Sequence, residues 1–391
     1  MPAYNVAQIG SAENGYAIEI NLAVVPDGSG AATATRNQHG EVELTLWNLM
    51  PAGVIQQAGQ LSADPQAGAT IAAIGPAGYV TAGESTQGGQ IKAIFWQGVS
   101  NIFEGSVHGG YNASITAFPI WFTLISPTSQ PPPNTEGAYG QGYLVATAHV
   151  TTNHHIRVTS WFVAIENLHG IGALAAANGG ESIAAAIAPK RSYIVNSNLS
   201  YADVVTGAIG EGNLHLGTWR LHVEAMQPQS VEHLHGVVTS VAANEISIAT
   251  YPTDPASTLV TASVTPAGNL ELIGWQMHDD GTFTQWLETT SEPASLVSCA
   301  WCTESIVVTA FKNASGKLKL IYWQFPNSPS DPQTINQIAE IDTGEQLPYG
   351  GVSAGHWRAQ GAHATNLGET LVGTLTQNGN AKVIRFHLTS S

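Results

Sequence analysis

One eight-residue segment recurs along the chain, and no other feature limits the fold so tightly. It reads "GEVELTLW" ending at Trp47, "GQIKAIFW" at Trp96, "HHIRVTSW" at Trp161, "GNLHLGTW" at Trp219, "GNLELIGW" at Trp275, "GKLKLIYW" at Trp323 and "GNAKVIRF" at Phe386. Near period-two alternation with β-branched residues predicts a strand in each copy. The residue seven before the aromatic is Gly40, Gly89, Gly212, Gly268, Gly316 or Gly379, with His154 the exception. A tight hairpin turn needs a positive-φ residue there, which glycine supplies without a steric penalty. A second strand precedes each copy, marked by Thr33-Ala34, Thr81-Ala82, Ala146-Thr147, Thr206-Gly207, Thr261-Ala262, Thr309-Ala310 and Gly373-Thr374. The two strands keep their mutual distance, whereas successive aromatics lie 49, 65, 58, 56, 48 and 63 residues apart. A fixed hairpin inside a unit of variable length places the insertions in loops.

All-β repeats of this size with aromatic landmarks predict propeller blades of four strands, lettered A to D from the axis outward. The G-x-L-x-L-x-x-W pattern resembles generic bacterial and fungal propeller repeats, a resemblance specific for architecture and silent on activity. The expectation is one domain, residues 1–391, forming a seven-bladed β-propeller. Strand D is expected at 101–107 and 333–341, and strand A at 68–74, 113–118, 181–187 and 295–301. The A segments are rich in Ala, Ser and Gly, as crowding around one axis requires. After Phe386 the last blade lacks a D strand, and residues 3–10 are expected to supply it, which protects the sheet edges.

Bulk charge excludes several partners. Lys and Arg total 12 against 28 Asp and Glu, for a net charge of −16, which argues against nucleic acid and anionic membrane surfaces. No eighteen-residue apolar run predicts a membrane span, and the N-terminal residues do not read as a signal peptide. Sequons at Asn112, Asn198 and Asn313 suit a secreted mature protein, and the composition suits the cytoplasm as well. Cys299 and Cys302 in "CAWC" read as buried thiols or a local disulfide rather than a redox or zinc motif.

Candidate chemistry concentrates on histidines. His108, His169 and His235 each precede a glycine in what reads as the D–A connection of three consecutive blades. These connections and the B–C turns share the face at the mouth of the channel. His155, Tyr349 and Arg358 are the expected catalytic assistants there, and His154, His356, Trp357 and His39 the expected substrate contacts. No cofactor is expected; the alternative is one divalent metal held by His108, His169 and His235. GxSxG and dinucleotide signatures are absent. Six tryptophans are strand landmarks, leaving Trp121, Trp286, Trp301 and Trp357 for ligand stacking.

Two functions follow from different classes. Insertions at 127–142 and 190–200 occur in only two units, and the polar loop residues do not repeat, which favours one unique pocket. The main expectation is therefore an enzyme acting on a neutral, partly apolar small molecule by cyclisation, cycloaddition, isomerisation or elimination. Some fungal hetero-Diels–Alderases and bacterial cyclases are thought to resemble propellers. The alternative is a lectin-type propeller binding carbohydrate at blade interfaces. The expected partner is a small molecule in either case, and the sequence carries no signal of oligomeric state.

Overall fold

The structure is a computed structural model, described for residues 3–25, 28, 30–74, 78–86, 89–97, 100–107, 111–123, 139–151, 155–164, 167–178, 185–194, 199–224, 227–250, 258–326, 334–347, 351–357 and 366–390. Strand β1 (Tyr4–Tyr16) finds its partner at the far end of the chain. Then β2 (Glu19–Val24), β3 (Gly30–Arg36), β4 (Glu41–Leu49) and the first part of β5 (Ile55–Ala73) pair in chain order. The second part of β5 starts the next antiparallel sheet with β6 (Gly78–Ser85), β7 (Ile91–Gln97) and β8 (Ser100–Val107). The same order recurs in β9 (Tyr111–Thr123), β10 (Tyr139–Val150), β11 (His155–Ala164) and β12 (Asn167–Asn178), and in β13 (Ala185–Ile194), β14 (Leu199–Gly210), β15 (Asn213–Glu224) and β16 (Gln227–Ala242).

Strands β17 (Glu245–Thr250), β18 (Thr258–Val264), β19 (Asn269–Met277) and the first part of β20 (Phe283–Trp301) follow. The second part of β20 pairs with β21 (Ile306–Asn313), then β22 (Lys317–Gln324) and β23 (Asn336–Gln346). The last sheet is β24 (Ser353–Trp357), β25 (Asn366–Leu375) and β26 (Asn380–Ser390), with β1 on its outer side. Tyr4 lies opposite Ser390 and Tyr16 opposite Asn380, so the N-terminal pairing runs longer than the sequence suggested.

The repeated segments form the third strand of their sheets, and the reason for their landmarks is now visible. Gly40, Gly89, Gly212, Gly268, Gly316 and Gly379 all adopt φ between +62° and +80°, the left-handed conformation that the hairpin turns demand. Each tryptophan is buried and donates its indole N–H to the threonine of the neighbouring strand. The pairs are Trp47–Thr33, Trp96–Thr81, Trp161–Thr147, Trp219–Thr206, Trp275–Thr261 and Trp323–Thr309, at 2.8–3.0 Å. The last sheet changes both partners together. Phe386 has no donor, and the residue standing where the others carry threonine is Val372.

The outer strands share a device that the sequence did not reveal. Beside the aromatic the outer strand carries one extra residue, a β-bulge that tightens local twist. The bulged residue is Ala58, Ile102, Leu234, Trp286 or Ile338 in sheets beginning with β2, β5, β13, β17 and β20. Strand β1 bulges at Ile9 opposite the same position of β26, which marks it as an outer strand equivalent to the rest.

At the other edge, the first strands touch in succession. Strand β2 meets β5, β5 meets β9, β9 meets β13, β13 meets β17, β17 meets β20, β20 meets β24 and β24 meets β2. Short polar side chains tie these neighbours. The backbone N–H of Leu22 donates to Ser353 Oγ (3.0 Å), that of Ala354 to Ser298 Oγ (3.0 Å) and that of Cys299 to Ser247 Oγ (3.1 Å), while Asn21 Nδ2 donates to Ala69 O (2.8 Å). Small residues in these strands thus serve both close approach and hydrogen bonding. Cys299 and Cys302 are free and buried; burial pushes the Cys299 thiol up to about 11 and the Cys302 thiol further still.

Candidate functional site

Strand lengths decide where the expected site residues fall. His169 lies within β12 opposite Phe162, and His235 within β16 opposite Thr218. Both strands are the outermost of their sheets. This corrects the expectation that they sit in connections at a channel mouth: the outer strands run on through the His-Gly pairs, so these residues belong to strands. His108, His154, Tyr349 and Arg358 lie outside the described residues. His155 opens β11, with its N–H on Thr151 Oγ1 (3.1 Å) and its buried Nδ1 without a hydrogen-bond partner. His356 and Trp357 end β24 opposite Thr370 and Glu369. His39 is exposed in a turn, its N–H on Asn37 Oδ1 (2.9 Å). Among the described residues no group of three or more His, Cys, Asp or Glu is placed to hold a metal ion.

The tryptophans left over from the repeat are also placed. Trp301 is buried and donates to Ala249 O (3.1 Å), so it belongs to the core. Trp286 is the bulged residue of β20 and lies over Gly274, where an added Cβ would come within 2.8 Å of its Nε1. The side chains of Trp121 and Trp357 lie outside the described residues.

A site that the sequence reading missed lies between the β9–β12 and β13–β16 sheets. It is a cleft of about 370 Å³, lined by Ile156 of β11, Thr206 of β14 and residues of β15 and β16. Two glycines open it. Gly217 and Gly236 face each other across β15 and β16, two residues along from Trp219. The corresponding pairs elsewhere are Thr45 with Gln60, Ile94 with Glu104, Ile273 with Glu288, Ile321 with Glu340 and Ile384 with Ser11. Where the other sheets carry side chains, this one is hollow. The signal was available in the aligned segments: "GTW" stands where the others read "TLW", "IFW", "TSW", "IGW", "IYW" and "IRF".

The cleft walls are aromatic, apolar and neutral. His233 packs its ring on Trp219, centroids 4.4 Å apart and tilted 41°. Burial, the largest cause, holds the His233 imidazole below its ordinary pKa, so the ring is neutral near pH 7 and offers one donor and one acceptor. Its Nε2 is buried and has no hydrogen-bond partner. His215 directs Nε2 to Gly210 O (3.1 Å), and the exposed Val238 forms the rim. Among the described residues no carboxylate, ammonium or guanidinium lines the cleft. Trp219 is itself fully buried, so the faces open to a ligand are those of His215, His233 and Val238, which can pack against an apolar face, hydrogen-bond a hydroxyl and select against charge.

Comparison with known proteins bears on the fold. No protein-family model matches the chain, and no curated protein matches it either. Among solved structures, the fungal lectin of Aleuria aurantia, described as a six-bladed β-propeller with a novel mode of fucose recognition, superposes with a TM-score of 0.50. The match has 9% identity and covers 95% of this chain and 92% of that one. The fold is a β-propeller. Two further lectins are similar to this propeller at lower TM-scores. A triple mutant of AofleA from Arthrobotrys oligospora gives 0.48, with 12% identity over 87% of this chain and 92% of that one. The SapL1 lectin in complex with α-methyl fucoside gives 0.45, with 9% identity over 84% and 98%.

These findings correct the expectation of an enzyme. The solved propeller that superposes at a TM-score of 0.50 is a lectin by description, and His169 and His235 lie on outer strands rather than around a channel mouth. The cyclase, isomerase and lyase readings are withdrawn.

Proposed function

We propose that the chain forms one domain, a seven-bladed ring closed by β1 beside β26, and acts as a carbohydrate-binding propeller of lectin type. The observation that carries the reading is the cleft hollowed by Gly217 and Gly236, with the neutral His233 ring packed over the buried Trp219 indole and an unpartnered Nε2. A neutral sugar ring presents an apolar patch and several hydroxyls, and this cleft offers a partner for each. The facing glycine pair belongs to one sheet, so the expected stoichiometry is one sugar per chain at this site, in contrast to a ring of equivalent pockets.

A glycan array with fucose among the first probes, the sugar named for the Aleuria aurantia lectin, identifies the ligand, and calorimetry counts it. Neutral glycans are expected to bind, and His233→Ala to weaken binding by roughly ten-fold or more, the worth of one buried hydrogen bond with its packing. Absence of any glycan ligand, or full affinity in the His233 variant, refutes the assignment.

A further inference from the structure

We infer that the cleft between the β9–β12 and β13–β16 sheets recognises a neutral ring that carries a hydroxyl donor at each of two opposite ends. The inference rests on the reading of that cleft as the sugar site, and it narrows the class of ligand. Strand register lays out the two ends. His215 stands opposite Val238, Gly217 opposite Gly236 and Trp219 opposite His233. The glycine pair therefore lies midway between two histidines that line the same cleft. His215 and Trp219 are four residues apart on one strand, a span of roughly 13 Å between Cα atoms. Between the two imidazoles that span leaves room for one six-membered ring, and a volume of about 370 Å³ suits a small organic ligand.

Hydrogen bonding fixes which nitrogen each ring shows. His215 Nε2 lies 3.1 Å from Gly210 O. A carbonyl oxygen only accepts, so Nε2 carries the proton and Nδ1 of the neutral ring is a bare acceptor. In His233 it is Nε2 that is buried without a partner. Burial lowers the pKa of this ring, and a hydrogen bond to the His235 backbone opposes the shift. A backbone bond of that sign is one the ring donates, so the proton sits on Nδ1 and Nε2 is bare as well. The Thr206 hydroxyl is already committed. It accepts the Trp219 indole N–H at 2.8 Å and donates to Gly217 O at 3.5 Å. Among the described residues, the lining side chains thus offer a ligand two acceptors and no free donor.

Unmet acceptors call for donors. A free hydroxyl supplies one, whereas an ether oxygen, an ester or a fluorine at the same place supplies none. An ammonium group also donates, but the lining holds no carboxylate to replace its lost water. The ligand class is therefore a neutral sugar or cyclic polyol whose two end hydroxyls are unblocked. A ring O-methylated or O-acylated at either end is rejected, because it leaves an imidazole nitrogen desolvated and unpaired.

The probe trans-cyclohexane-1,4-diol has this layout, and its dimethyl ether keeps both oxygens but donates nothing. Nitrogen NMR of the free protein above neutral pH reads the tautomers first. His215 Nδ1 and His233 Nε2 are expected at the shift of unprotonated imidazole nitrogen. Titration with the diol is expected to move both signals, and the dimethyl ether to bind at least ten-fold more weakly. His215→Phe and His233→Phe are each expected to weaken the diol about ten-fold. Should either variant fail to fold, the two probes on the parent chain still decide the matter. A proton on either assigned nitrogen, equal binding of the two probes, or no binding of the diol overturns the inference. A blank glycan array with the diol bound through both histidines refutes the sugar reading and leaves the two-donor recognition standing. A bound glycan with the two probes equal does the reverse.

Discussion

The indole–threonine pair offers a sharp test of how each sheet is held. Trp323 and Thr309 are 3% and 0% exposed, and the indole N–H meets Thr309 Oγ1 at 2.9 Å. Thr309→Val keeps the shape of the side chain but leaves the N–H buried and unpaired, which costs about 1–3 kcal/mol. Trp323→Phe removes the donor and part of the ring volume, and is expected to cost about 2–3 kcal/mol through the cavity left behind. In the double variant no polar group is orphaned by the change, since Thr309 has gone with its donor. Its loss is expected to fall short of the sum of the single losses by about 1–2 kcal/mol. The last sheet already carries this combination, Phe386 with Val372, both fully buried. Urea denaturation of the four proteins measures the cycle. Strict additivity refutes the reasoning, because it means that the bond and its loss are energetically invisible.

Other outcomes follow from the same structure. His149 is fully buried with no hydrogen-bond partner on either ring nitrogen, and burial, with Arg157 nearby, lowers it to about 4. The unfolded chain therefore binds the extra proton between about pH 6.5 and 4, and stability is lost as pH falls through that window, by about 3 kcal/mol. His149→Phe should abolish that part of the acid dependence; equal losses in variant and parent between pH 7.5 and 4.5 would exclude His149 as its source. Deleting residues 3–10 exposes the edge of β26 and should lower the melting temperature and promote aggregation, and unchanged melting refutes the closure. Cys299 and Cys302 should resist a thiol reagent until the chain unfolds, so rapid native labelling of either contradicts their burial.

Much of the architecture was legible because it is local. A positive-φ glycine, an alternating strand and a buried aromatic lie within eight residues, so the hairpin declares itself in the sequence. The small residues of the first strands were legible for the same reason, although their hydrogen bonds to the neighbouring sheet were not. The pairing of β1 with β26 could be read from what the last unit lacked. What failed was the outer strand. Its length is set by pairing to the third strand and by a one-residue bulge, and neither leaves a periodic trace, so His169 and His235 were read as loop residues. The cleft was half legible: Gly217 breaks the pattern within its segment, but its partner Gly236 is known only once register is fixed.

The placement of β1 has a consequence for how the molecule comes into being. Its partner β26 begins at Asn380, so a growing chain leaves β1 unpaired for on the order of 20–80 s at ordinary elongation rates before that partner is made. During that interval the strand, whose folded positions are only exposed or half-buried, has no template. Its extra residue at Ile9 and its polar face make it a poor match for a flat foreign edge. The last pairing to form then joins two strands far apart in the sequence, and the sheet that β1 completes is the last to be finished.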